Sequence, residues 1–303
     1  MWDRVRVAAL SGMGVLAALG MAACGSGGGG SQPGGGHSTA AGSGGAAQAV
    51  ETAYRSTTGQ KTVTFRIDEA VNAASSGGST ENAVITGTGQ ADLASHAFTM
   101  TINVPTGGTV TMLESGGVEY IQVPAAARSQ IPGHKPWESV NLNKVSQTEL
   151  GKSFSQLASA GNSDPSHALA QLEAVSSGVS KIGAASVAGV PATEYRARVS
   201  LGKLASQMQA KAGAAAAQAI RREQQMLGSS LPVEVWVDAS HLVRQIRFEI
   251  PLPTASGGAG SGTATSTMTF TGFGAPVTVT PPPASKVIDV TGQVLQQAKA
   301  SSG

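Results

Sequence analysis

The chain has 303 residues, of which 13% are charged, 4% are aromatic and only one is a cysteine, and its formal net charge is +2. So slight a charge leaves no electrostatic footprint for nucleic acid, and a lone cysteine excludes an intrachain disulfide. With so few aromatics, a core has to be built from Val, Ile, Leu, Met and Ala.

Residues 1–23 follow the plan of a secretory signal: Arg4 and Arg6 near the start, an uncharged apolar run from Val7, and small residues at its end. The run closes on Met21-Ala22-Ala23-Cys24, which resembles a bacterial lipobox. That resemblance implies lipidation of the Cys24 sulfur, cleavage before Cys24 and acylation of the new amino group. One acyl chain holds a protein to a membrane only weakly, and two or three make a stable anchor. Without the signal, Lys+Arg falls from 20 to 18 and Asp+Glu from 18 to 17. No polybasic patch then assists the acyl chains at the membrane.

Residues 24–47 are almost entirely Gly, Ser and small polar residues, a composition that cannot offset its ordering entropy by burial. They are expected to form a flexible tether whose twenty or so residues span roughly 25 Å. Residues 48–290 are expected to form one domain, and residues 291–303 a short polar tail.

In chain order, "AAQAVETAYRSTTG" predicts a helix ended by Gly59, with Ala49, Val50, Ala53 and Tyr54 on one face. "KTVTFRIDEA" alternates strictly and predicts a half-buried strand with Val63, Phe65 and Ile67 on its apolar face. "AVITGTGQADL", "HAFTMTINV", "GGTVTMLESGG" and "VEYIQVP" continue with short turns between them, which predicts an antiparallel meander. "KVSQTELGKSFSQLASAG" and "DPSHALAQLEAVSSG" shift to helical spacing, the second with Asp164 as cap and Pro165 at the first helical position. Strands then return, interrupted by a long Ala-rich helix, Gly202–Leu227. About ten strands with helices inserted in two places predict an α+β fold. Its strongly curved antiparallel sheet forms an open half-barrel, with helices covering the concave face.

Four stretches, "GTGQADLASHAFTMTINV", "ATEYRARVSL", "LPVEVWVDASHLVRQIRFEI" and "MTFTGFGAPVTVTPPPASKVIDV", together resemble the LppX/LprG-type lipoproteins of actinobacteria. The pattern Trp-Val-Asp followed by Leu-Val-Arg, and the closing Phe273-Gly274-Ala275-Pro276-Val277 with Asp289-Val290, carry most of the likeness. The resemblance implies a LolA-like half-barrel that holds lipid or lipoglycan acyl chains between sheet and helices. The chain departs from it in its small-residue richness and in its long "SSGGSTEN" and "TASGGAGSG" loops.

Phe65, Ile67, Phe98, Met100 and Ile102 are the inward candidates, either plain core or the lining of an acyl-chain site, which Met would keep pliable. Leu204 and Met208 lie on the Ala-rich helix, the candidate lid. Trp236 stands between Val235 and Val237 as core or cavity wall, and Trp137 after Pro136 is expected to anchor a loop. Ser200-Leu201-Gly202-Lys203 fits Ser-x-x-Lys, but its Ser-Asp-Asn and Lys-Thr-Gly partners are missing. The five histidines have no metal-ligand spacing.

The expectation is a non-enzymatic lipoprotein without cofactor or metal. It would be anchored through Cys24 at the outer face of the cell membrane, where it presents or shuttles a lipid or lipoglycan with the help of a membrane transporter. The alternative is an envelope sensor or interaction protein that regulates a membrane partner through the same fold.

Overall fold

The computed structural model describes residues 43–74, 80–104, 108–146, 165, 168–169, 172, 178–212, 221, 224, 228–253 and 259–300. The chain opens with helix α1 (Ser43–Thr58), followed by β1 (Thr62–Ala74), β2 (Thr80–Asp92), β3 (Ala97–Val104), β4 (Gly108–Ser115) and β5 (Val118–Gln122). Two 3₁₀ turns lead into β6 (Trp137–Asn141) and the short helix α2 (Leu142–Ser146). The second half holds β7 (Ser180–Val187), β8 (Val190–Ser200), α3 (Leu201–Ala212), β9 (Ser230–Asp238), β10 (Val243–Pro253) and β11 (Ala259–Thr271). It closes with β12 (Val287–Asp289) and α4 (Thr291–Ala300).

Among the described residues, twelve strands join one curled, unclosed sheet in the order β12-β6-β5-β4-β3-β2-β1-β11-β10-β9-β8-β7. It consists of two meanders, β1–β6 and β7–β11, paired antiparallel through β1 and β11. Only β12 runs parallel to its neighbour, β6. Strands and helices combine in the α+β class that the alternation predicts. Trp137, expected in a loop, begins β6 and pairs with both Gln122 and Val287. The Pro before it ends the preceding turn, and the strand starts at once.

Short turns set the meander register. Gly116 and Gly117 both take positive φ, 63° and 74°, which lets a two-residue hairpin follow the strand twist between β4 and β5. Between β2 and β3, the Asp92 carboxylate accepts the backbone N–H groups of Ala94 and Ser95, at 2.9 and 3.1 Å. Between β9 and β10, Asp238 Oδ1 accepts the N–H groups of Ser240 and Leu242, and Arg244 Nε donates to Oδ2 at 2.6 Å. The Arg244 guanidinium also lies 4.9 Å from the Phe273 ring centroid. Trp-Val-Asp…Leu-Val-Arg is therefore a turn lock.

Helix α1 buries Ala46, Val50, Ala53 and Thr57 on one stripe, packs on β7, β9 and β10, and is closed by Gly59 N–H on Arg55 O. Thr57 Oγ1 accepts the Val243 N–H at 2.8 Å, at the bulge where β10 shifts register against β9. The helix begins at Ser43, inside the stretch expected to be tether, because Ala46 fills the first turn of that stripe. Residues 291–300, expected to be tail, also form a helix. Its start is held where Thr291 donates to Asp289 while its Oγ1 accepts Asn141 N–H at 2.9 Å, and Val290 and Val294 are buried. Within "DPSHALAQLEAVSSG" the described Pro165, Ala168, Leu169 and Leu172 are buried and Gly178 is exposed.

Candidate functional site: the inner face of the sheet

Alternation sends one side of every strand inward, and strand pairing lines those residues up in rows. The longest row runs Phe270, Phe65, Gly89, Met100, Met112, Ile121, Glu138, Ile288, each the register partner of the next, across eight strands. A second runs Ile246, Met268, Ile67, Gly87, Ile102, Val110. A third runs Val63, Ala91, Phe98, Glu114, Glu119, Val140. The apolar members of these rows join α1, Ala168, Leu169 and Leu172 in one hydrophobic cluster.

Phe65, Ile67, Phe98 and Met100 are buried on this face, and Ile102 packs against them half-buried. Gly89 makes room for the largest of them. A Cβ there would stand 2.5 Å from Phe65 Cζ and 2.5 Å from Thr99 O, so the ring occupies the space above the glycine. Leu204 of α3 is half-buried and packs against this cluster and against a smaller one formed by Leu201 and Ala205. The side chain of Met208 lies outside the described residues, as do Cys24, the signal segment and most of the Ala-rich helix beyond Ala212.

Trp236 departs from the expected set. It pairs with Glu194 and Gln245, on the face opposite to buried Val235 and Val237, and is half-buried there. The period of two leaves it no choice once its valines enter the core, and its amphipathic ring shelters among polar side chains. Ser200, the start of Ser-x-x-Lys, caps α3: its Oγ accepts the Lys203 N–H at 3.2 Å.

The structure adds four residues that the sequence reading missed: Glu69, Glu114, Glu119 and Glu138. Glu119 and Glu138 are only 8% and 2% exposed. Glu69 lies between Ser266 and Ile85, in phase with Phe65 and Ile67. Burial raises its carboxyl above the usual range. Glu119 is pushed up to about 8, first by burial and then by the charge of Glu114 directly opposite. The signal was present in "VEYIQV", where Glu119 keeps phase with Ile121 and Val123. Among the described residues no group of His, Cys, Asp and Glu is arranged to hold a metal ion, and no helix is long and apolar enough to cross a membrane.

No family model and no curated protein matches the chain. Among solved structures it is similar to the Mycobacterium tuberculosis lipoprotein LppX, at 13% identity and TM-score 0.47, over 78% of this chain and 98% of that one. It is also similar to LprF from Mycobacterium bovis, at 14% identity and TM-score 0.40, over 79% and 97% of the two chains. A LolA superfamily protein from Nitrosomonas europaea matches at 8% identity and TM-score 0.27, over 79% and 96%.

Proposed function

We propose that this chain is a lipid-anchored envelope lipoprotein whose inner sheet face binds the acyl chains of a lipid or lipoglycan, which it presents or shuttles at the outer side of the cytoplasmic membrane. One observation carries the reading: an inward row, apolar from Phe270 on β11 to Ile121 on β5 and so continuous across six strands of a sheet that does not close. Chains laid along such a face gain about 25 cal/mol per Å² of apolar area removed from water, and no catalytic group or metal is needed. The lipobox-like Met21–Cys24 and the glycine-rich residues after it supply the anchor and the reach in this reading.

Native mass spectrometry of the chain purified from its own envelope, followed by lipid extraction, tests it. The expected result is added mass that extraction converts into a defined lipid. Protein with no added mass that also takes up no offered lipid would sink the carrier reading.

A further inference from the structure

Strands β1–β6 contain one basic residue, Arg66, which points outward and donates to Asp68 at 2.8 Å. Facing inward on the same strands are Glu69, Glu114, Glu119 and Glu138, among Phe, Met, Ile and Val. Glu114 and Glu119 are direct cross-strand partners, and Glu138 is one row and one strand away. Among the described residues no hydrogen-bond donor reaches the Glu119 carboxyl, although the residue is more than nine-tenths buried. An uncompensated buried carboxyl costs several kcal/mol, and an apolar side chain would pack there without that cost. Phosphate and other anions are disfavoured on this face by like-charge repulsion. A cation satisfies the Glu119 carboxyl.

We propose that the inner face at β4–β6 is an ammonium subsite: Glu119, with Glu114 opposite and Glu138 beside it, receives the positively charged amine of a bound amphiphile whose acyl chain lies along the Phe65–Met100 row. This inference rests on the lipid-binding reading and adds the charge of the ligand to it. Charged groups on the neighbouring elements are the exposed Lys144 of α2, Asp289 of β12, which interacts with Lys144, and Arg128, whose Nε donates to Val123 O at 3.2 Å. The described side chains of α4 and of the Pro165–Leu172 stretch are uncharged. Because burial holds Glu119 protonated up to about pH 8, binding an ammonium group there releases a proton.

The test uses the full chain in zwitterionic nanodiscs, with empty nanodiscs as blank, and equilibrium uptake of dodecylamine, dodecanol and dodecanoate. These probes share one hydrocarbon chain and differ in head group. The expected result is dodecylamine binding about tenfold or more tighter than dodecanoate at pH 8.5, the size of one modest buried charge pairing. Dodecylamine affinity should fall by up to about tenfold per pH unit below 8. Glu119→Gln should remove both the preference and the pH dependence, while Glu114→Gln should move the midpoint of that dependence to lower pH. Equal uptake of all three probes without pH dependence overturns the ammonium subsite and leaves the lipid reading standing. Uptake of none of them overturns the lipid reading as well.

Discussion

Strands β7–β11 turn their charges outward or into turns, and pair several of them. Arg196 donates to Glu234 at 2.9 Å, Arg247 reaches the same carboxylate at 3.5 Å, and Arg244 closes on Asp238. Inside, that meander is Val233, Val235, Val237, Ile246 and Phe248. Strands β1–β6 send four glutamates into their apolar face and keep threonines outside. The two halves share one sheet and one meander plan, so the contrast is not a matter of fold. It separates a half whose charges lie outside or in turns from one that keeps carboxyl groups on its inner face.

Breaking a partnered charge in the β7–β11 half gives a large effect. Asp238→Ala removes the acceptor of two turn amides and strands the part-buried Arg244. A loss of about 3 kcal/mol is expected, read as a lower denaturant midpoint with unchanged slope. In the other half Arg66→Ala breaks an exposed pair and should change stability by less than about 0.5 kcal/mol. Equal losses at the two sites would erase the distinction between halves.

The glutamate half makes a prediction of opposite sign. Glu119 has its carboxyl raised from 4.5 to about 8 on folding, so the folded state binds the extra proton between those values. Stability is therefore greatest below pH 4.5 as far as this group is concerned, and declines as pH rises to about 8. The slope approaches about 1.4 kcal/mol per pH unit. Glu69, also raised by burial, adds to it in the same direction. Glu119→Gln should flatten most of that decline and leave the protein more stable than the parent at pH 8, measured by thermal melts across the range. A variant that is less stable at pH 8 would mean that the carboxylate is stabilising after all.

A smaller effect than that of Asp238 is expected at a turn of the β7–β11 half. Ala188 holds φ at +49° beside Gly189 at +81°, in the hairpin between β7 and β8. Ala188→Asn supplies the Asn-Gly pair that this turn geometry favours and should stabilise by about 1 kcal/mol. A neutral or destabilising result would show that the hairpin tolerates alanine there without strain.

Strand alternation, a local property with a period of two, by itself determined the class of fold, most strands and the inward identity of Phe65, Ile67, Phe98 and Met100. Turn chemistry such as Gly116-Gly117 and Asp92 joined them into meanders. The same alternation already placed Trp236 opposite its valines, but whether that side meets core or water is a property of the sheet's covering. The helix at 291–300 and the early start of α1 were likewise invisible to composition, because Thr291, Val294 and Ala46 are ordered by partners distant in sequence. The inward glutamates show the division most clearly. Sequence put Glu119 in phase with Ile121, but only the register that sets Glu114 across from it made two ordinary acidic residues into a facing pair on the inner side. Cross-strand register is a long-range choice, fixed by the packing of the whole sheet, and no stretch of the chain contains it alone.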